Sequence, residues 1–371
     1  MKKICHITSV HNTNDGRIFV RECCSLAKKD EYEVHIVGPG EDQERSGVII
    51  SGVGVKPNSR IKRMLFFNRK VIKKAKELNA DLYHIHDPEL LRYVKTLSKG
   101  KAKVVFDSHE NYPEQMLTKY YIPKKIRGLA KEIYLSFENS KCKLLDGAVF
   151  PCLVEGKDVF EGRVKHHCLL DNVPVSAEIP CENKTKERYV CCAGGLTKDR
   201  GVVELIEACY LADVKLVLAG AFESEELEKE IREKESFSIV DYRGIVNRNE
   251  VMKIYENATM GASTIQPIGQ YAKIWNLPTK VYEFMMYGLP FVISDFEYAR
   301  ETINRLKCGL VVDSTDINDI ARGIRQIVED SEEASQMGKR GREAIITEFN
   351  WEKQEKVLFQ FYENIFANKI Q

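Results

Sequence analysis

The feature that most constrains this chain is a change of hydrophobic period that occurs again and again along it. Short runs rich in β-branched and apolar residues alternate with longer stretches of helical spacing, and the whole alternation is run twice. In the first half the strand-like runs are KICHITSV, YEVHIVGP, GVIISGV, DLYHIHD, KVVFDSH and DGAVFP, with helices expected over residues 17–29, 61–78, 88–98 and 124–143. The pattern stops at Asp171-Asn-Val-Pro174 and the polar residues that follow to Arg188, which reads as a linker. It restarts with YVCCAGG, a helix over 201–211, KLVLAGA, a helix over 223–234, SIVDYRG, MGASTI, a helix inside WNLPTKVYEFMMYGLP, FVISD and LVVD. From Asp316 the chain reads as helical to its end, with a break near Phe349-Asn-Trp351. Strands that alternate with helices pair in parallel and are covered by those helices. The expected fold is therefore α/β, with two Rossmann-like doubly wound parallel-sheet domains at residues 1–173 and 174–350. Ligands of such sheets bind at the carboxyl ends of the strands, so a central cleft lined by both sets of strand ends is expected.

Composition narrows the function classes. The chain has 371 residues, a formal net charge of +1, 43% hydrophobic and 30% charged residues, so global charge selects no partner. No run of eighteen apolar residues is present, and MKKICHITSV passes from two lysines straight into a strand without a cleavable apolar region, so a cytoplasmic protein is expected. The eleven cysteines are scattered, odd in number and lack a Cys-x-x-Cys pair, which fits a reducing compartment. All eight histidines lie at or before His167, so imidazole chemistry belongs to the first half.

Three stretches carry candidate chemistry. In WNLPTKVYEFMMYGLP, Pro278 and Gly288 punctuate a helix whose free N–H groups form an anion site, to which Thr279 adds a hydroxyl and Lys280 a charge. Glu283, one turn further on, can accept two hydrogen bonds from the hydroxyls of an adjacent sugar; the plain alternative is an i,i+3 pair with Lys280. In AGGLTKDRGVVELIEA, Gly194 and Gly195 let backbone approach a ligand and Arg200 stands at a helix entrance, where its guanidinium can fork onto phosphate; a plain strand-to-helix turn accounts for the stretch equally. In HNTNDGRIF, Asp15 and Gly16 follow the first strand, and Asp15 reads either as a helix N-cap or, with Arg17, as a residue of the cleft.

Two further groups stand at strand ends in the first half. DLYHIHDPE places His86 and Asp87 there, and FDSHENYPE places His109 and Glu110. With His84, which shares a strand face with His86, they imitate a metal-ligand set. No His-x-x-x-His or His-Glu-x-x-His accompanies them, so no metal is expected. KPNSRIKRMLFFNRKVIKKAK, from Lys56 to Lys76, holds nine basic residues, no acid, and the apolar cluster Met64-Leu65-Phe66-Phe67. It reads as a surface for anionic lipid head groups or a phosphorylated acceptor, or as a solvated basic helix, and it allows a peripheral position at the inner face of the membrane. No nucleic-acid motif accompanies it, so nucleic acid is not an expected partner.

The order and spacing of HNTNDGRIF, DLYHIHDPELL, FDSHEN, AGGLTKDRGVVELIEA, VDYRGIV and KVYEFMMYGLPFVIS resemble the GT-B glycosyltransferases of glycosyltransferase family 4, retaining enzymes that use nucleotide sugars. The resemblance spans nearly the whole chain. It implies a GT-B fold in which an acceptor domain is followed by a donor domain, and a C-terminal helix over 351–371 crosses back to the first domain. It further implies that Glu283 holds the nucleotide ribose and that Thr279 and Lys280 hold donor phosphates. Arg200 stands where the family usually has a phosphate-binding lysine, His109 matches a histidine that contacts the donor sugar, and the backbone from Arg243 to Val246 holds the base.

Three positions depart from the family pattern. Trp275 occupies the place of the first glutamate of Glu-x7-Glu, so Trp275 and Asn276 mark the choice of sugar; Gly195 replaces an arginine; and Asn14-Asp15-Gly16 replaces a Gly-Gly loop. The resemblance thus implies a metal-independent hexosyltransferase without a permanently bound cofactor, with His109, Arg200, Lys280 and Glu283 as the catalytic set. Its donor is a UDP- or GDP-sugar and its acceptor a glycan or lipid-linked hydroxyl in cell-surface polysaccharide biosynthesis. Two other functions remain open on sequence alone: a non-catalytic sugar-nucleotide or glycan-binding module, and a metal-dependent hydrolase centred on His86, Asp87, His109 and Glu110.

Overall fold

The structure is a computed structural model that describes residues 1–117, 122–180 and 186–367. The chain forms two compact units, one of Met1–Asn172 joined by the chain from Glu352 on, the other of Val173–Trp351. Of the expected linker, residues 181–185 lie outside the described residues. No helix among the described residues is long and apolar enough to cross a membrane.

The first unit is built on an eight-stranded sheet. Its strands are β1 (Lys2–Ile7), β2 (Tyr32–Gly38), β3 (Gln43–Arg45), β4 (Val48–Gly52), β5 (Leu82–Ile85), β6 (Lys103–Asp107), β7 (Gly147–Phe150) and β8 (His166–Leu169), in the order β3-β4-β2-β1-β5-β6-β7-β8. All pair in parallel except the β3–β4 edge hairpin. Central strands of a parallel sheet are covered on both faces, which explains why β5 and β7 are buried at every residue. The expected helix over 17–29 is wound as a π-helix at Gly16–Cys23 before an α-helical turn at Cys24–Leu26. That over 61–78 likewise carries a π turn at Arg63–Phe67 between Arg60–Lys62 and Asn68–Glu77.

The last helix, Trp351–Ala367, returns to this unit and buries Leu358, Phe361, Tyr362 and Ile365. Gly147 makes room for it: a Cβ there would stand 2.8 Å from the Phe361 ring. Packing of a distant segment thus selects the smallest residue at the start of β7.

The second unit repeats the architecture with a six-stranded, parallel sheet. Strands β9 (Glu187–Ala193), β10 (Lys215–Ala219), β11 (Val240–Tyr242), β12 (Ala258–Ser263), β13 (Phe291–Ser294) and β14 (Leu310–Val312) follow the order β11-β10-β9-β12-β13-β14. The chain order reverses at β9 and β12, and helices pack on both faces over two apolar clusters. The helix Thr279–Met286 is buried along most of its length because Phe284 presses onto β12 and Met285 onto Gly341 of the helix Ser331–Thr347. A Cβ on Gly261 of β12 would meet the Phe284 ring at 2.6 Å. Gly261→Ala is expected to overpack this contact and cost about 1–3 kcal/mol. Denaturant unfolding would show this as a lowered midpoint, and an unchanged midpoint would mean that the ring can move aside.

Candidate functional site

In the second unit, the carboxyl end of β9 gathers most of the predicted donor residues. The strand runs out through Cys192 and Ala193 into Gly194 and Gly195, which are exposed. Gly194 adopts φ +124, and the Gly220 backbone packs so closely that a Cβ on Gly220 would lie 1.8 Å from the Gly194 carbonyl oxygen. The Arg200 guanidinium covers this loop, its Nη1 3.3 Å from the place a Cβ on Gly195 would take. Gly201, with φ +68, is held against the Thr264 backbone, and Thr197 caps the turn through Arg200 N–H at 3.1 Å.

From the other side, Lys280 reaches the same strand end, its Nζ 3.4 Å from Cys192 Sγ. Thr279 is exposed at the first turn of its helix, whose cap residue Pro278 makes no side-chain hydrogen bond to the helix start. Val281 N–H already donates to the Pro278 carbonyl at 2.8 Å, so the N–H groups of Thr279 and Lys280 are the ones that can face an anion. Gly194, Gly195, Arg200, Thr279 and Lys280 thus come together around one bare loop with two cations and a helix start.

Glu283 does not pair with Lys280. Its Oε1 accepts a short hydrogen bond from Arg248 Nη1, and it also bonds the buried Tyr255 hydroxyl, whose pKa burial and then the Glu283 charge push well above the usual phenol range. Arg248 comes from the helix Arg248–Asn257, which opens on a capping box of Asn247 and Glu250. The carboxylate is thereby aimed by two partners remote in sequence. Sequence reasoning missed Arg248, since nothing in RNEVMKIYEN sets this arginine apart.

Asn276 Oδ1 is buried without a hydrogen-bond partner among the described residues, beside Trp275, whose ring packs 6.4 Å from that of Tyr298. Arg243 is turned away: its side chain binds Asp241, which also takes Lys215, so only the backbone between Arg243 and the half-buried Val246 is offered at the end of β11.

The first unit hides a different arrangement beneath its strand ends. Asp107, the last residue of β6, is fully buried and accepts a two-pronged ion pair from Arg17, with Nε–Oδ2 at 2.8 Å and Nη2–Oδ1 at 2.9 Å. The remaining Arg17 Nη1 donates to the Leu170 carbonyl and to Asn172 Oδ1, both at 2.8 Å. Asp107 Oδ2 also lies 3.2 Å from His86 Nδ1 and 3.1 Å from His109 Nε2. Burial opposes its charge, but Arg17 and then His109 and His86 hold the carboxyl well below the usual carboxylate range. Burial pushes His86 down to about 4 despite Asp107, and Glu22, also buried, is raised well above its ordinary value.

The cluster that sequence reasoning assembled from His86, Asp87, His109 and Glu110 is not the one formed. His86 and His109 meet over Asp107, whereas Glu110 is exposed outside this group and Asp87 is spent elsewhere. Asp87 Oδ2 accepts from Ser9 N at 2.5 Å and from the Thr8 hydroxyl at 3.1 Å, which clamps the loop after β1. Asp15 does act as the helix cap, its Oδ1 accepting from the N–H groups of Arg17 and Ile18 at 2.8 and 3.0 Å, with Gly16 opening the helix behind it. Asp107 was legible only as one more polar residue at the end of KVVFD.

Beside these residues lies a pocket of about 590 Å³ lined by His11, Arg63, Arg92, Tyr112, Tyr134 and Phe137 among others. Arg63 is oriented by Glu89 through a pair of hydrogen bonds at 3.0 and 3.1 Å.

Two parallel doubly wound units, one with a bare glycine loop and an uncapped helix start at its strand ends, define a two-unit α/β class of protein whose ligands bind at strand ends. Residues 17–163 match the family model Glycosyltransferase Family 4, and residues 178–344 match Glycosyl transferases group 1. No curated protein matches the sequence significantly. Among solved structures, sucrose-phosphate synthase of Thermosynechococcus elongatus is similar, with 15% identity, TM-score 0.77 and full coverage of both chains (100% and 100%). The Anabaena protein HepE, in complex with UDP and glucose, is similar with 13% identity, TM-score 0.71 and coverage of 98% and 100%. UDP-forming α,α-trehalose-phosphate synthase of Burkholderia xenovorans follows with 14% identity, TM-score 0.67 and coverage of 98% and 99%. At these identities the likeness speaks for the fold. With both family models matched in order along one chain of this fold, the protein belongs to the GT-B glycosyltransferases of the family 4 type.

Replacing Arg17 by Met would leave Asp107 charged and unpaired in the interior. An expected loss of about 3–5 kcal/mol in denaturant unfolding checks this, and an unchanged midpoint would mean that Asp107 does not depend on Arg17.

Proposed function

We propose that the protein is a retaining hexosyltransferase that moves a sugar from a UDP- or GDP-sugar to a hydroxyl of a glycan or lipid-linked acceptor in cell-surface polysaccharide biosynthesis. The observation that carries this reading is the convergence of Arg200 and Lys280 on the Gly194-Gly195 loop, with Glu283 less than two turns along the adjacent helix.

In this reading the second unit binds the donor. Arg200, Lys280 and the Thr279 helix start receive the diphosphate, Glu283 accepts the ribose hydroxyls, and the backbone from Arg243 to Val246 meets the base. As the bond from the anomeric carbon to the phosphate oxygen breaks, negative charge grows on the leaving diphosphate. The two cations and the N–H dipoles stabilise that charge. The acceptor oxygen bonds to the anomeric carbon on the same face, and its proton passes to the departing phosphate oxygen, so no protein nucleophile is required. His109, held by Asp107, matches the histidine that in the family contacts the donor sugar. Asn276, with its unpartnered carbonyl oxygen, and Trp275, in place of a carboxylate, select which sugar is taken.

The acceptor reading rests on the pocket of the first unit, where arginines and aromatic rings stand together as an amphipathic, phosphate-bearing acceptor requires. Around it, Ile61 and Phe66 of the basic segment and Leu129 and Ile133 of the helix Arg127–Cys142 are each more than 60% exposed. Exposed apolar residues among nine basic ones support a peripheral position on anionic membrane.

Three experiments test these statements. A thermal-shift screen should find a nucleoside diphosphate that raises the melting temperature, and Lys280→Ala and Glu283→Gln should each weaken its binding about tenfold or more. Arg200→Ala should lower kcat by about 10²–10³. Unchanged affinity and turnover in these variants would refute the donor assignment, and binding without transfer to any acceptor would leave a binding module instead. Ile61→Glu combined with Phe66→Glu should reduce co-sedimentation with phosphatidylglycerol vesicles about tenfold or more; equal binding by both proteins would remove the membrane reading.

A further inference from the structure

One face of the first sheet carries a buried polar group that the transfer reaction does not use. His6 on β1 stands in register with His84 on β5, and His86 follows two residues on, just past the strand, on the same face. The three imidazoles lie with ring centroids 4.6–5.1 Å apart. Glu22 enters from the π-helix that covers them, and all four side chains are fully enclosed. Such residues in the middle of otherwise apolar strands demand a reason, because an ordinary parallel sheet holds aliphatic side chains there.

Four ligand atoms converge. Glu22 Oε2 lies 3.8 Å from His6 Nδ1, 3.7 Å from His84 Nδ1 and 4.0 Å from His86 Nε2, and His6 Nδ1 lies 2.8 Å from His86 Nε2. Ligands placed about 2.0–2.2 Å from a tetrahedral ion stand about 3.3–3.6 Å from one another, within the spread of these separations.

Hydrogen bonding inside the protein completes the group only in part: His6 Nδ1 and His86 Nε2 bond each other and His84 Nδ1 bonds Tyr362, whereas among the described residues no donor reaches either oxygen of Glu22 or the outward His84 Nε2 in hydrogen-bond geometry. Arg17 Nε approaches Glu22 Oε1 at 3.2 Å, but that N–H is already donated to Asp107. An outer shell, by contrast, is in place. His86 turns its other nitrogen to the Asp107 carboxylate at 3.2 Å, and the other nitrogen of His6 lies 3.4 Å from the Tyr362 hydroxyl; that hydroxyl also bonds His84 Nδ1 itself at 2.7 Å, a contact that an ion would displace. A carboxylate or hydroxyl behind a ligating imidazole orients it and raises its basicity.

We propose that His6, Glu22, His84 and His86 form a closed binding site for one divalent transition-metal ion of the Zn²⁺ kind. Three imidazoles and a carboxylate suit such an ion. With four protein ligands and no solvent access the ion is structural: it ties β1, β5 and the covering helix together beneath the strand ends. The neighbouring triangle of His86 Nδ1, Asp107 Oδ2 and His109 Nε2 needs no ion, because the Arg17 fork already balances the Asp107 charge. The site is independent of the reading of the transfer reaction.

The test uses the full chain, both as purified and after unfolding in chelator and refolding with or without Zn²⁺. Elemental analysis should find about one zinc per chain after gel filtration, and the zinc form should melt higher than the metal-free form. Refolding with Co²⁺ should give the intense visible absorption of a four-coordinate ion. His84→Gln should lose the ion, and His109→Gln should keep it. Less than about a tenth of an ion per chain in every preparation, with one melting temperature throughout, overturns the proposal. So does loss of the ion from His109→Gln alone, which would place it in the outer triangle. If His84→Gln does not fold, the wild-type stoichiometry and the Co²⁺ spectrum decide, and the weak spectrum of a six-coordinate ion overturns it.

Discussion

The two-pronged contact between Arg17 and Asp107 is the interaction on which the first unit depends. A buried ion pair adds little net stability over a well-packed apolar pair, so its value here is positional. Asp107 ends β6, Arg17 opens the helix after β1, and the last guanidinium nitrogen takes the backbone just beyond β8 and the side chain of Asn172. One side chain therefore ties the helix after β1 to the ends of β6 and β8 at a depth where water cannot compete. The same carboxylate then orients His86 and His109, so the imidazole at the rim is set by a charge placed far below it.

The second unit solves its positioning problem with backbone instead of buried charge. Gly194, Gly201 and Gly220 each adopt positive φ, and Gly201 and Gly220 lie where another backbone passes too close for any side chain. The strand end after β9 is stripped bare as a result, and two long cationic side chains lie across it. Glu283, the carboxylate on an otherwise apolar helix, is held there by Arg248 and Tyr255, which occupy the neighbouring helix. The helix can be apolar nearly all round because it is a core element that exposes only its first turn and this one acid.

The doubly wound fold was legible because periodicity is a property of neighbours in sequence: the runs IVGP, VVFD and VLAG mark strands whichever partner they find. The β8 strand was not, since HHCL carries two histidines and reads as polar, yet it pairs with β7 throughout. The π turns at Gly16–Cys23 and Arg63–Phe67 were also invisible, because helical spacing differs from π spacing by less than such short stretches resolve. For the site, Gly194, Gly195, Arg200, Thr279, Lys280 and Glu283 stood out by turn chemistry and helix punctuation. Asp87 was misjudged for a physical reason: a carboxylate at a strand end looks the same in sequence whether it faces a ligand or clamps the Thr8-Ser9 backbone.

What the sequence by itself determined is the alternation of strand and helix, hence parallel sheets, and the residue types gathered at strand ends, because both follow from local spacing and local conformational preference. Tertiary structure alone decided the partners. That Arg17 seeks Asp107 across ninety positions, that Arg248 and not Lys280 takes Glu283, and that Tyr362 of the last helix closes over His84 are choices made between residues far apart in the chain. Charge and hydrogen-bonding capacity are written in the residue, but their satisfaction depends on which groups the packed sheets and helices bring within about 3 Å in the absence of water.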